Sequence, residues 1–514
     1  MTSEPSITLS PAAGRAVLIS TILASSMAFI DSTALNVALP RLQADLGMNA
    51  SELVWVVNAY ALFLSALILV GGSLGDRYGR KRIFMTGIAL FAGASLACGL
   101  APTSSVLIAA RALQGIGGAL MVPGSLAIIS ASFNNDQRGK AIGTWSTFST
   151  LTTLLGPVLG GWLADQGLWR AIFFINLPLA LVALLILARS VPESHDQQNT
   201  APLDIPGALL VTLGLAGVTF GFTEAPNYGF ADPLIFIPLV GGLLLLGLFI
   251  LVEARRAHPM IPLSLFRSPT FSGTNLLTFF LYAALAALPF FLALNLVQVQ
   301  GYPSQQAGLA LLPLGIILTL ISRWAGAQAD KLGPRTLLTV GPALAGVGFF
   351  LFALPELTAG PSEYWTTYFP GALMLGLGMG ITVAPLTTAV MGSAPAHSSG
   401  TASGINNAVA RTAGVLAIAI LSALAITTFS RDMTAGAAAL DFTPAQIDQI
   451  TTSAVRLADI PPPAGLSPDA ATAFNQLVRA SFVSTFRLIA LIAALLAGLS
   501  ALLAFLLVGR EQRQ

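Results

Sequence analysis

Three charged side chains stand inside long apolar runs: Asp31, Arg111 and Arg411. Burying a charge in hydrocarbon is costly, so a charge kept there is read first as functional. Asp31 lies about eight residues from one end of its run, hence roughly 12 Å deep at 1.5 Å per residue. Arg111 lies about six or seven residues from the matching end of a later run, at roughly the same depth. The two can therefore meet, either as a static ion pair that fixes packing or as a working pair. A carboxyl group withdrawn from water favours its neutral form and can hold a proton or an organic cation, but not both. Competition for that one group would couple the exit of one species to the arrival of the other, and an approaching Arg111 would expel the proton. Arg411, near the middle of its run, has Asn407 or helix carbonyls as partners. Glu224 and Glu253 lie at run ends, within reach of water.

The runs define the elements that must position these groups. Hydrophobic residues make up 55% of the 514-residue chain and charged residues 9%, a balance foreign to water-soluble domains. Apolar stretches of about twenty residues recur, each long enough to cross roughly 30 Å of hydrocarbon as a helix. The weak ten-residue alternation of barrel strands does not occur. We read fourteen spans: 16–39, 53–73, 82–101, 105–131, 139–163, 171–189, 205–224, 233–254, 271–298, 305–324, 336–355, 365–391, 400–428 and 484–508. The first is too long for a signal-peptide core, and no small-residue cleavage site follows before Arg41, so it is expected to stay as a helix. The single cysteine, Cys98, lies in an apolar run and leaves neither a disulfide framework nor a metal-ligand spacing. A formal charge of +2 offers little to nucleic acid. No stretch reads G-x-x-x-x-G-K-[ST], so a nucleotide is not expected; an ion gradient is, with no other cofactor.

Lysine and arginine orient the spans. With a cytoplasmic N-terminus, sixteen of them fall inside and six outside, and four of the six lie in or beside segment 429–483, where the rule has little force. Both termini are expected in the cytoplasm, in a multi-pass monomer of the cell membrane whose partners are lipid, protons and a small molecule. Segment 429–483 is expected as a large external loop. Helical spacing around 443–458 and 468–480, split by Pro461-Pro462-Pro463, predicts two short helices there, which either cap a cavity or form plain surface.

The chain also repeats itself. Gly72-Ser-Leu-Gly-Asp76-Arg77-Tyr-Gly79-Arg80-Lys81 follows the second span, and Gly326-Ala-Gln-Ala-Asp330-Lys331-Leu-Gly333-Pro334-Arg335 follows the tenth. Gly143-Thr-Trp-Ser146 opens the fifth span as Gly400-Thr-Ala-Ser403 opens the thirteenth, and Gly115-Ile-Gly117 with Pro123 is echoed by Gly376-Leu-Gly378 with Pro385. The expected organisation is a leader 1–15, a six-helix half 16–190, two inserted helices within 191–270, a second six-helix half 271–508, and a tail 509–514. Two parallel halves around a central cavity is a transporter design.

Phe29-Ile-Asp31-Ser-Thr33-Ala-Leu-Asn36-Val-Ala-Leu-Pro40 resembles the first-helix signature of the fourteen-helix drug:proton antiporters of the major facilitator superfamily. Gly72 to Arg82 is similar to that superfamily's loop motif between helices two and three. Arg111-Ala-Leu-Gln114-Gly115-Ile-Gly117-Gly118 resembles its fourth-helix motif, and Gly156-Pro157-Val-Leu-Gly160-Gly161 its fifth-helix antiporter motif, with Thr152 where the family pattern has glycine. Trp169 to Pro178 and Pro262 to Arg267 look like the same subfamily. The resemblance implies an all-α membrane fold of two six-helix halves plus two inserted helices. It implies a proton-coupled antiporter of lipophilic or cationic drugs, not an enzyme.

Each motif has its own physics. The short 72–82 loop is either a topological staple or a latch that opens in each cycle; its glycines allow the turn, Asp76 can cap the next helix or a neighbour, and Arg77 and Arg80 hold it in the cytoplasm. Pro157 bends helix five while Gly156, Gly160 and Gly161 admit a neighbouring helix. In some relatives that export quaternary ammonium compounds an aspartate occupies the position of Asn58. Its absence argues against doubly charged cations. Trp55, Tyr60 and Trp145, with Phe29, Phe63 and Phe148, either line a cavity for flat lipophilic ligands or face lipid. An exporter of one specific metabolite fits the same scaffold. A non-transporting membrane sensor is the reading from another class, and Asp31 and the helix-five motif argue against it.

Overall fold

Proline, glycine and polar caps cut the apolar sequence into helices. The structure, a computed structural model, describes residues 11–194, 203–395, 398–440, 442–463 and 465–509. The side chains of Pro11, Asn135, Asp136, Asp330 and Ser399 lie outside that description, as do most of the expected leader and all but Gly509 of the tail.

The N-terminal half comprises α1 (Pro11–Leu46), α2 (Ala50–Tyr78), α3 (Arg80–Leu100), α4 (Ser104–Ser132), α5 (Asn135–Asp165) and α6 (Ala171–Ser190). The inserted pair is α7 (Ile205–Tyr228) and α8 (Pro233–Arg255). The second half holds α9 (Pro269–Val299), α10 (Ser304–Ala310 continued by Leu312–Leu332), α11 (Pro334–Phe352), α12 (Phe369–Gly392), α13 (Ser399–Ala439) and α14 (Pro468–Leu507). Asn49, Thr103, Asp204, Asp232, Ser268 and Ser467 each accept a backbone N–H at a helix start, which is why those helices begin where they do.

Among the described residues thirteen helices are both long and apolar enough to cross a membrane. The fourteenth, α5, has 31 residues, but the run Ser146, Thr147, Ser149, Thr150, Thr152 and Thr153 keeps it below that apolarity. Thr147, Thr152 and Thr153 turn their hydroxyls back onto the carbonyl four residues earlier, and Thr152 also meets the Ser26 hydroxyl of α1 at 3.1 Å.

Packing repeats between the halves. In the first, α4 packs on α2 and α3, and α1 on α5; in the second, α12 packs on α10 and α11, and α9 on α13. The halves meet where α2 lies on α13 and α5 on α10, a reciprocal pair of contacts. The inserted pair sits outside this frame, with α7 against α2 and α13. Gly79 and Gly333 occupy matching one-residue turns, at φ +109° and +75°, a backbone region that a side chain would strain.

Segment 429–483 differs from its expectation. Residues 429–439 continue α13, and 468–483 open α14, so these helices reach 41 and 40 residues. At 1.5 Å per residue each is about 60 Å long, roughly twice the hydrocarbon thickness. Among the described residues between them only Pro444–Ser453 forms a separate short α-helix, followed by a 3-10 turn at Ala454–Asp459. Nothing between 429 and 439 or after Pro468 breaks a helix, whereas Pro461-Pro462-Pro463 does.

Candidate transport site

Asp31 of α1 and Arg111 of α4 meet. Both are buried, at 0% and 1% exposure, and Arg111 Nη1 bonds Asp31 Oδ2. Gln114, one turn beyond Arg111, donates from Nε2 to Asp31 Oδ1 at 2.8 Å and accepts from Arg111 Nη1 at 2.7 Å. Arg111 Nε donates to the Val56 carbonyl at 3.0 Å, and its guanidinium lies 4.4 Å from the Tyr60 ring centroid. Ser95 accepts from Gln114 at 3.0 Å and from Asn176 at 2.8 Å, tying α3 and α6 into the network. Opposite charges thus neutralise one another in a dry setting where every stray lone pair would be costly.

A cavity of about 1410 Å³ lies between the halves. Phe29, Ser32, Tyr60, Phe63, Trp145 and Arg411 line it, and it extends past the 72–80 loop to His258 and Met260. Asp31 is not part of the wall. Tyr60 is the partition, with one side on the cavity and the other under Arg111. Trp145 is fixed by its Nε1 donating to Ser25 at 2.9 Å. Arg411 is half-buried, and its Nε donates to Asn407 at 3.0 Å.

Three expected residues are elsewhere, one of them Phe148, which is 48% exposed and off the cavity wall. Trp55 stacks 6.2 Å from Phe220 of α7 and donates to Glu224 at 2.8 Å, so it holds the inserted pair against α2. Asn58 is fully buried and donates to the Val415 carbonyl of α13 at 3.3 Å, bridging the halves outside the cavity wall.

The loop motif is tied down by a residue the sequence did not single out. Among the described residues Asp76 caps no helix; it pairs with Arg80 at 2.8 Å. Glu193, beyond the end of α6, accepts the N–H groups of Lys81 and Arg82 at 2.9 and 3.1 Å and so caps α3. Lys81 Nζ answers by donating to the Ala188 and Val191 carbonyls at 3.2 and 2.7 Å. Arg77 lies 5.5 Å from the Tyr78 ring. In the second copy Gly326 lies within α10, and Arg335 stacks 4.4 Å from the Phe505 ring of α14; Asp330 lies outside the described side chains.

The antiporter-like motif lies at the opposite end, where the halves close. A Cβ on Gly160 would stand 2.2 Å from the Ala34 carbonyl, and one on Gly161 2.3 Å from that of Ser304. Gly156 abuts Thr33, and the Pro157 carbonyl reaches Gly308 of α10. Asp165, another residue missed in the sequence, accepts the Ser304 and Gln305 N–H groups at 2.8 Å each. Gln43 donates to the Arg456 carbonyl and accepts from Gln298, both at 3.0 Å. The cavity is therefore sealed at this end and reaches the loops at the other.

Two six-helix halves, a closed seam at one end and a cavity at the other define a membrane transporter of the alternating-access kind. A model described as Major Facilitator Superfamily matches residues 21–418, and the chain belongs to that superfamily; it is a transporter, not an enzyme. It is 35% identical to "Puromycin resistance protein pur8" of Streptomyces alboniger over 79% of this chain and 80% of that one. It is 31% identical to "Multidrug resistance protein Stp" of Mycobacterium tuberculosis, over 79% and 75%. Among solved structures it is similar to a bacterial homologue of the human lysosomal transporter Spinster, with a TM-score of 0.65, 18% identity, and 96% and 98% of the two chains covered.

Proposed function

We propose that the protein is a proton-coupled antiporter that exports lipophilic small molecules, drugs among them, across the cell membrane. The observation that carries this reading is the Asp31–Arg111 pair, dry and neutralised, one ring away from a large cavity. Relatives named for drug resistance support the class of cargo.

In this reading the cavity end is cytoplasmic, because the basic loop with Arg77 and Arg80 borders it. The protein then loads cargo from inside while the Asp165 seam keeps the outside shut. Asp31 does not touch the cavity, so cargo and proton do not compete by contact at this site. They communicate through Tyr60 and Arg111 instead. A proton on Asp31 removes the charge that holds Arg111; cargo that moves Tyr60 shifts the face on which the guanidinium rests. The working unit is a single chain in lipid, and the proton gradient supplies the energy.

A panel of lipophilic dyes and drugs, tested in a strain lacking its own pumps, checks the reading. Extrusion that collapses when the proton gradient is dissipated is the expected result. No change in the accumulation of any compound on expression would sink it.

A further inference from the structure

We propose that Arg411 is the cargo-binding charge of the cavity, and that the preferred cargo is a lipophilic, aromatic molecule carrying an acidic group such as a carboxylate or phenolate. This rests on the export reading above and names its substrate class.

The argument is an account of charges on the cavity wall. Its acids are Asp76 and Asp204, and each already has an arginine: Arg80 at 2.8 Å and Arg256 at 2.9 Å. The third nearby acid, Asp31, is buried behind Tyr60 and paired with Arg111. A cationic cargo therefore finds no open carboxylate among the described wall residues. Arg411 is the converse case. It lies twelve residues into α13, about 18 Å along the helix, and one turn before Val415, which meets α2. Its Nε bonds the neutral Asn407, and among the described residues no carboxylate pairs with it. A guanidinium within a membrane helix needs a partner, and its free edge suits two oxygens of an anion. Tyr60, Phe63, Phe29 and Trp145 line the same cavity, and their rings suit the aromatic part of such a molecule.

The test uses purified protein in proteoliposomes and two xanthene dyes of similar shape, anionic fluorescein and cationic rhodamine 123. Wild type is expected to transport fluorescein. Arg411→Gln should cut fluorescein transport about tenfold or more, the loss expected for one charge-assisted hydrogen-bonded contact, and leave rhodamine 123 within about twofold. Arg411→Lys, which keeps the charge but not the fork, should recover part of the anion transport. Gel-filtration profile and thermal stability establish that each variant is folded. Equal losses for both dyes, or none, overturn the assignment, as does a wild type that carries rhodamine 123 and not fluorescein; in those cases export itself still stands. A wild type that moves neither dye, nor any compound of the wider panel, overturns the export reading and this one with it.

Discussion

At the scale of single residues, the two members of the buried pair are unequally supported. Arg111 keeps the Val56 carbonyl, Gln114 and the Tyr60 face if Asp31 becomes neutral. Asp31 without Arg111 keeps, among the described residues, only the Gln114 amide. Leaving a buried charge uncompensated costs about 3–5 kcal/mol. Arg111→Gln is therefore expected to lower the yield of folded protein sharply and Asp31→Asn little, while the double variant recovers yield without recovering uphill transport. Monodisperse protein measured by gel filtration checks this, and an Arg111→Gln variant as abundant as wild type would contradict it. The pair itself was legible in the sequence, because depth along a span can be counted from the nearest charge or loop. Gln114, Ser95 and Asn176 were not, since a neutral polar residue in an apolar run carries no depth signal that separates a partner from filler. That Asp31 turns away from the cavity was equally hidden, because periodicity places a residue in a span but not on a face when most faces are apolar.

At the scale of elements, the turns were more legible than the contacts between helices. Gly79 and Gly333 announce their turns by sequence alone, and both turns are present at positive φ. Asp76, read as able to cap a helix, pairs with the i,i+4 arginine, Arg80, among the described residues. The true cap, Glu193, arrives from over a hundred residues away, a distance no local pattern reports. Glu193→Ala should cost about 0.5–2 kcal/mol, the usual worth of a helix cap, seen as a lower thermal midpoint with α3 loosened at the loop; an unchanged midpoint would mean water replaces the carboxylate at no cost. Pro157 lies where α5 meets α10, its carbonyl against Gly308. Pro157→Ala is expected to insert normally yet slow transport, because a straightened α5 alters the seam that must part in each cycle. Normal efflux at normal expression would make the proline a packing feature only. Residues 429–439 were read as loop but continue α13, and 468–480, read as a separate short helix, instead open α14, because polarity was taken as the end of a membrane helix.

At the scale of the whole molecule, the repeat read from three echoed motifs reappears as repeated packing, and the two halves touch through α2 on α13 and α5 on α10. Orientation is tested by reporter fusions: Gly333 should report the cytoplasm and Pro462 the outside, and a cytoplasmic Pro462 would mean an even number of crossings before it instead of thirteen. Cargo charge sets the energetics. Exchange of a monocation for one proton moves no net charge, whereas export of a monoanion against one proton moves two, each worth about 2.3 kcal/mol per 100 mV. The central claim is that proton binding at Asp31 drives export. Its most direct measurement is flux of an exported dye into proteoliposomes, with a pH gradient imposed alone, for wild type and Asp31→Asn. With an acidic lumen, wild type should accumulate dye beyond equilibrium while the Asn variant only equilibrates it. Equal uphill accumulation by the two proteins would remove Asp31 from the coupling path and contradict the account.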